Sequence, residues 1–565
     1  MKIFTDEIIS RLTPMLDLPA QEIEALLQTP ADSSMGDYSL PCFQLAKTLR
    51  KAPPLIAQEL ADRVAAGPPF ARIEAVKGYL NFFVDRALLA ATVLGALAEQ
   101  GDRYGEGVSG EGKTVVIDYS SPNIAKPLGV HHIRSTMIGN ALSRIFRALG
   151  YRVVGLNYLG DWGTQFGKLM VSYKRRENEL SRGDITIKEL LDLYVQFHSE
   201  AEENEELDEE ARGWFRKLEE GNEEATQLWR RFREESLKEF QRVYARLSVV
   251  FDSYMGESSF IKESQRVTER LKESGLAAES EGAQVVDLEQ WDMPPCLLQK
   301  KDGTTLYATR DIAAAEYRHA TYDFDQLIYV VGSQQRLHFR QVFKVLELMG
   351  YDWASRCRHV DFGMLSFKGG TFSTRRGKMI FLEDVLDRAV ELARSIIEEK
   401  NPTLDNKDEV AEMIGVGAVI FGDIKQRRNK DVVFDWDTAL NFDGETGPYL
   451  QYSYVRLGGI LRKHEGELPQ AADFSLLTSD EEHQLLRLLG DFPEQIERAA
   501  QQHEPSIIAT YLLDLGSAFN TFYQKHRVIS EDAALTDARL VLVQSLRTVI
   551  RKGLDLLGMK CPERM

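Results

Sequence analysis

Ser120-Ser-Pro-Asn-Ile-Ala-Lys-Pro-Leu-Gly-Val-His-His-Ile-Arg-Ser-Thr136 joins an apolar strand pattern, Val115-Val-Ile117, to an amphipathic helix. Ile133, Met137, Ala141, Ile145 and Leu149 recur at helical spacing and bury one face, with Gly150 as the stop and Pro127 at or just before the first turn. A second strand pattern, Arg152-Val-Val-Gly-Leu-Asn157, follows at once. The stretch is therefore the loop of a β-loop-α-β unit, and it carries Asn123, Lys126, His131 and His132 to a helix N-terminus. Unpaired N–H groups and the positive end of the helix dipole make that place suited to an anionic ligand, phosphate above all.

Working outward, strands alternate with helices from Lys113 to about Phe381, as in a mostly parallel sheet. Leu327-Ile-Tyr-Val-Val331 reads as a buried strand leading into a helix over Arg340–Met349, and His359–Leu365 as a further strand. Cys296–Thr305 reads as a hairpin around Asp302-Gly303. A long polar helical stretch, roughly Lys188 to Ser274, interrupts the pattern as an insertion. Two βαβ halves separated by an insertion bind ligands at the carboxyl ends of the strands, where the strand order reverses. Residues 1 to about 110 form a separate small module, with helical periodicity at Asp6–Met15 and Gln21–Leu27 and strand alternation in Lys77–Val84. After about Asn401 strand signals nearly vanish and helical periodicity dominates.

With 565 residues the chain is too long for one core. No apolar run approaches membrane-spanning length, and the amphipathic start is unlike a signal peptide. Four scattered cysteines without a CxxC pair argue against a zinc site or disulfide framework and fit a reducing cytoplasm. A net charge of −18 argues by itself against a polyanionic partner, although recognition depends on local patches. Glu200–Glu224 is crowded with acids and reads as a solvated face, whereas Lys425-Gln-Arg-Arg-Asn-Lys430 is basic.

Three segments carry a specific resemblance: Ser120–Pro127, His131–Thr136 and Gly160-Asp-Trp-Gly-Thr-Gln-Phe-Gly167. With Asp302–Asp311, Gly332–His338, Phe372–Gly377 and Tyr449–Arg456, they resemble, in order, the motifs of bacterial-type arginyl-tRNA synthetases, a family of class I aminoacyl-tRNA synthetases. The resemblance implies a Rossmann-like doubly wound parallel-sheet catalytic domain over 111–400, with a helical insertion at about 175–290. It also implies a small α+β N-terminal domain over 1–110 that meets tRNA, and an all-α anticodon-binding bundle over 401–565. The expected ligands are L-arginine, ATP with Mg²⁺ arriving on it, and tRNA(Arg). A cytoplasmic monomer with no membrane association is expected.

The reaction so implied needs no general base. An arginine carboxylate, already anionic, attacks the α-phosphate of ATP, so catalysis rests on in-line positioning and charge stabilisation. The resemblance puts Lys126, His132, Ser373 and Arg375 in the catalytic set, and Lys126, His131, His132, Gly363, Met364, Arg375 and Lys378 around ATP. Two departures matter. The HIGH element reads Gly129-Val-His-His132, with Gly129 at the first His position and His131 where glycine is usual. Either His131 supplies the missing imidazole from a shifted position, or Lys126 covers that charge and His131 packs. The KMSKS-like loop reads Thr371-Phe-Ser-Thr-Arg375, without its first lysine. Family members lacking that lysine are thought to use the one upstream of HIGH, here Lys126.

A planar five-donor guanidinium calls for carboxylates in fork geometry beside a hydroxyl or ring. The family's pocket maps onto Tyr307, Asp311 and Glu257, with Asn123 and Gln335 at the α-amino group and Asp118 nearby. From pattern alone Asp311 would be a surface helix residue. On the tRNA side, the candidates are Tyr38, Arg427, Arg428, Tyr449, Tyr452 and Arg456, which combine cations with aromatics on which loop bases can stack. Two alternatives remain at this point: an adenylate-forming ligase that acts without RNA, and a catalytically silent tRNA-binding paralogue. The flanking modules count against the first, and the presence of Asn123, Lys126, His132, Asp311 and Gln335 against the second.

Overall fold

The apolar run at Val115 forms the strand Thr114–Asp118, all five residues buried, because helices cover both faces of a parallel sheet. A computed structural model describes residues 1–30, 33–64, 67–178, 185–204, 206–301, 306–367, 380–464, 466–469 and 472–565. Among them, four parallel strands lie in the order Cys357–Phe362, Gln326–Gly332, Thr114–Asp118, Arg152–Leu156. The chain leaves Thr114–Asp118 towards one edge and returns to its other side at Gln326–Gly332. The order therefore reverses between these two central strands, and the loops after them flank the crevice. Those loops carry Ser120–Val130 and Ser333–Gln335.

The signature helix runs His132–Ala148, and Gly150 with φ 85° stops it, a conformation that costs glycine little. Ile133, Met137, Ala141, Ile145 and Leu149 are all buried, as their spacing requires. The polar insertion contains the helices Ile187–Ala201, Glu206–Glu219, Glu223–Arg246 and Ile261–Glu273. Part of its acidity is internally matched: Lys168 pairs with Asp208, Arg175 with Glu210 and Arg176 with Glu200.

Cys296–Gln299 is a strand, but it joins the antiparallel sheet of Ala277–Ser280 and Ala283–Val286; the turn expected at Asp302-Gly303 lies outside the described residues. Past Asn401, one short strand escapes the helical pattern. Val432–Phe434 pairs in parallel with Leu365–Phe367, a three-residue partnership too short to leave a periodicity. The helices Lys407–Ile424, Gly447–Arg462, Asp480–Gln502, Ser506–Lys525 and Ala533–Leu556 account for most of the rest.

By packing, the chain forms two compact units. One comprises Met1–Glu106, Tyr452–Arg498 and Thr510–Gly553; the other Gly107–Gln451, Ala499–Ala509 and Leu554–Met565. Residues 401–451 thus pack with the parallel sheet, although their composition groups them with the helical region. In the first unit, Tyr38–Pro41, Tyr79–Val84 and Phe70–Val76 make an antiparallel sheet with Tyr79–Val84 central. No helix among the described residues is long and apolar enough to cross a membrane.

Candidate active site

Three backbone positions of the signature loop, Ser120, Ser121 and Ala125, have positive φ (71°, 47° and 62°), which non-glycine residues adopt only when held there. The holding groups come from far along the chain. Ser120 N–H donates to Ser135 Oγ at 2.8 Å, and Ser120 Oγ lies 2.7 Å from Tyr244 Oη. Ala125 N–H donates to Ser236 Oγ at 2.8 Å. Ser236 and Tyr244 both sit on the insertion helix Glu223–Arg246, so the insertion braces the loop from behind. Neither residue stands out in the sequence, because a buried hydroxyl on a helix leaves no pattern.

Of the residues expected at the phosphates, His131 and His132 meet ring to ring, centroids 4.0 Å apart. His132 Nδ1 lies 3.1 Å from the Gly129 carbonyl, which can only accept, so Nδ1 carries the proton. Burial, reinforced by His131, pulls the His132 pKa down to about 3, with the Gly129 carbonyl opposing, and burial also lowers that of His131. Both imidazoles are therefore neutral near pH 7. Lys126 Nζ stands 4.0 Å from the centroid of Tyr194 on the insertion helix Ile187–Ala201, beside a small cavity of about 40 Å³ shared with Asn123 and Gln165. Ser373, Arg375 and Lys378 lie outside the described residues.

Gly363 and Met364 follow the strand Cys357–Phe362 and are tied to the basic run: Gly363 N–H donates to Arg428 O at 2.9 Å, Met364 N–H to Asp431 Oδ1 at 2.7 Å. Fully buried Arg134, from the signature helix, donates to both Gly363 O (2.9 Å) and Lys430 O (2.8 Å). Its Nε lies 2.9 Å from Asp423 Oδ1, at ion-pair distance but off the hydrogen-bond line. Burial raises the Asp423 pKa to about 6 against the pull of Arg134.

Tyr307 and Asp311, expected at the amino acid, share one face of the helix Tyr307–Tyr322 with Arg310 and Arg318. Asp311 Oδ2 is 2.6 Å from His338 Nε2. Glu257 Oε2 accepts from Arg310 Nη1 at 2.5 Å, and the Arg310 guanidinium carbon is 4.7 Å from the Tyr307 ring centroid. Burial pushes Glu257 up to about 7; Arg310 opposes this, while Asp311 and Asp161 add to it. Asp118 is buried, bound to Arg318 at 2.7 Å and accepting from Ser121 Oγ at 2.8 Å. It is thus committed to an internal ion pair. Asn123 and Gln335 are exposed on the two loops flanking the strand reversal, and Asn123 forms a parallel bridge with Gly160.

Of the residues expected at tRNA, Arg427 is exposed, but Arg428 is spent internally, donating to the Asp361 carbonyl (2.6 Å) and carboxylate (2.8 Å). Tyr449 is half-buried. Arg456 lies over Tyr452 (4.6 Å) and Tyr523 (5.2 Å), an exposed cation–aromatic stack. Tyr38 is 6% exposed with its hydroxyl buried, because it lies in a strand covered on both sides; its ring has no free face for a base. The exposed aromatic of that module is Phe43, in edge contact with Tyr79. Among the described residues, no three His, Cys, Asp or Glu side chains gather closely enough to hold a metal ion.

Known proteins of similar sequence and fold identify the family. Residues 93–436 match the family described as tRNA synthetases class I (R), catalytic domain; 450–565 match the DALR anticodon binding domain, and 2–84 the arginyl tRNA synthetase N terminal domain. The arginine–tRNA ligase of Halothermothrix orenii is 47% identical over 563 residues, covering 100% of both chains. That of Clostridioides difficile is 50% identical over 550 residues, covering 97% of each. The solved Thermus thermophilus arginyl-tRNA synthetase superposes with a TM-score of 0.84 at 28% identity, covering 100% of both chains. This chain belongs to the class I arginyl-tRNA synthetase family.

Proposed function

We propose that this enzyme activates L-arginine with ATP and transfers it to tRNA(Arg), with the following division of labour. The arginine carboxylate attacks the α-phosphate, pyrophosphate leaves, and a hydroxyl of the tRNA 3′-terminal ribose then takes the arginyl group and releases AMP. Lys126 and His132 neutralise the phosphates from the signature loop, with Arg375 and Lys378 acting on the leaving pyrophosphate and Mg²⁺ carried in by ATP. Asp311, Glu257 and Tyr307 take the guanidinium, and Asn123 and Gln335 the α-amino group. The observation that carries this reading is the juxtaposition beyond the carboxyl ends of the strands: an anion-suited loop with Lys126 and His132, and a helix presenting Tyr307 and Asp311 beside Glu257.

tRNA is expected to be needed for activation itself, with the N-terminal module and helical region gripping it, Arg427 and Lys430 at phosphates and Tyr452–Arg456 at a loop base. The enzyme is proposed to work as a cytoplasmic monomer. The test is aminoacylation with all twenty amino acids, paired with ATP–pyrophosphate exchange with and without total tRNA. Arginine alone should be charged, and exchange should be silent without tRNA. Exchange with arginine at full rate in the absence of tRNA would refute the tRNA requirement, and charging of another amino acid would refute the substrate.

A further inference from the structure

The pocket proposed for a substrate guanidinium already contains one. Arg310 Nη1 bonds Glu257 Oε2 at 2.5 Å while its planar group lies against the Tyr307 ring, 4.7 Å from the centroid. A carboxylate on one edge and an aromatic ring on the face are the partners a guanidinium seeks. We infer that Arg310 is an internal stand-in for the substrate guanidinium and a specificity-determining residue, because a ligand must displace it from Glu257 to be held there. The inference rests on the arginine-pocket reading given above and deepens it.

Two features mark the contact as one that can exchange. Arg310 is incompletely satisfied: its Nε is buried with no hydrogen-bond partner among the described residues. Tyr307, the ring it leans on, is 62% exposed, so the guanidinium has a path towards solvent along its side. The neighbouring acids cannot hold it in advance. Asp311 is occupied by His338, and Asp161 by Ser258 and Arg233. Tyr158 Oη, buried and without a hydrogen-bond partner among the described residues, lies near the charges of Glu257, Asp311, Arg310 and Arg318. The interior thus offers unpaired polar atoms that an incoming ligand can meet.

Displacement discriminates by chemistry. An incoming guanidinium gives Glu257 the same kind of planar N–H donor that Arg310 gave and can add a second, so the exchange is nearly even. A lysine ammonium is a compact, strongly hydrated point charge that cannot supply such a group, so Arg310 keeps its place. Without Arg310, the charges that act on Glu257 among the described residues are those of Asp311 and Asp161, and its burial then favours the neutral carboxyl.

The test is calorimetric titration of the full-length enzyme with L-arginine and with L-lysine between pH 6.5 and 9, for Arg310→Met, Arg310→Lys and Glu257→Gln. In Arg310→Met the ratio of lysine to arginine dissociation constants should fall at least tenfold at pH 8.5. Its arginine affinity should rise with pH more steeply than that of the unaltered enzyme, as Glu257 becomes charged. Arg310→Lys, which keeps the charge but not the planar guanidinium, should lower the ratio at least threefold, and it decides the matter if Arg310→Met fails to fold. An unchanged ratio in a folded Arg310 variant overturns the inference. Glu257→Gln should weaken arginine at least tenfold; if it does not, the pocket reading itself fails and the Arg310 inference falls with it.

Discussion

The ammonium of Lys126 rests 4.0 Å from the centre of the Tyr194 ring, so the cation of the signature loop is held by a residue of the helical insertion. Such a contact contributes about 0.5–1 kcal/mol at a partly exposed site. Tyr194→Leu should therefore slow ATP–pyrophosphate exchange by about two- to fivefold, and Tyr194→Phe, which keeps the ring, should not. Lys126→Ala should cost roughly a hundredfold in kcat with little change in KM for ATP, as expected for a charge used mainly in the transition state. A Lys126→Ala enzyme with normal turnover would remove Lys126 from the mechanism, and equal rates for Tyr194→Leu and the parent would remove the clamp.

ATP binding should take up protons. His132, with a pKa of about 3, is neutral at pH 7 and presents an unprotonated Nε2. Polyphosphate beside it favours the charged form and raises that pKa towards neutrality, so binding drives protonation and KM for ATP rises as pH increases from 6 to 8. Calorimetry of ATP binding in two buffers of different ionisation enthalpy measures the uptake directly. Identical enthalpies in both buffers would contradict it, and the signal should vanish in His132→Asn.

Breaking the buried ion pair behind the site should be expensive. Arg134 and Asp423 are both almost fully buried, at 2.9 Å. Asp423→Asn leaves the Arg134 charge without a counter-ion and should destabilise the unit containing the parallel sheet by about 3–5 kcal/mol. Joint replacement by Met and Leu should cost much less than either single change. Urea unfolding of the three variants provides the measurement, and additive single and double effects would show that the two do not act as a pair.

Gly160 is there for Asn123. A Cβ at Gly160 would lie 1.9 Å from Asn123 Oδ1, so Gly160→Ala must push that side chain out of place. KM for arginine should rise roughly tenfold while the melting temperature moves by only a few degrees, a split that follows if Asn123 positions the α-amino group. An unchanged KM would mean that Asn123 does not touch the amino acid.

The signature loop, the helix behind it and the parallel strands were legible because buried strands and amphipathic helices leave local periodicities, and Val115–Ile117 and Ile133–Leu149 display both. Other features were not legible. Val432–Phe434 pairs with a strand some 67 residues earlier, and its three residues look like loop. Tyr38 read as a base contact, but all four residues of its strand are buried. Arg428 read as one more surface cation, whereas Asp361 and His503 use it internally.

By itself the sequence determined the order of strands and helices and the place of the phosphate-suited loop. Both depend on neighbours a few residues apart. Only the tertiary structure decided the electrostatic state of the residues expected at the site. It made His132 neutral, gave Asp118 to Arg318, and set Arg310 on Glu257. The reason is physical: burial and partners fix charge and hydrogen bonding, and partners such as Ala125 and Ser236, 111 residues apart, meet only when the chain has folded.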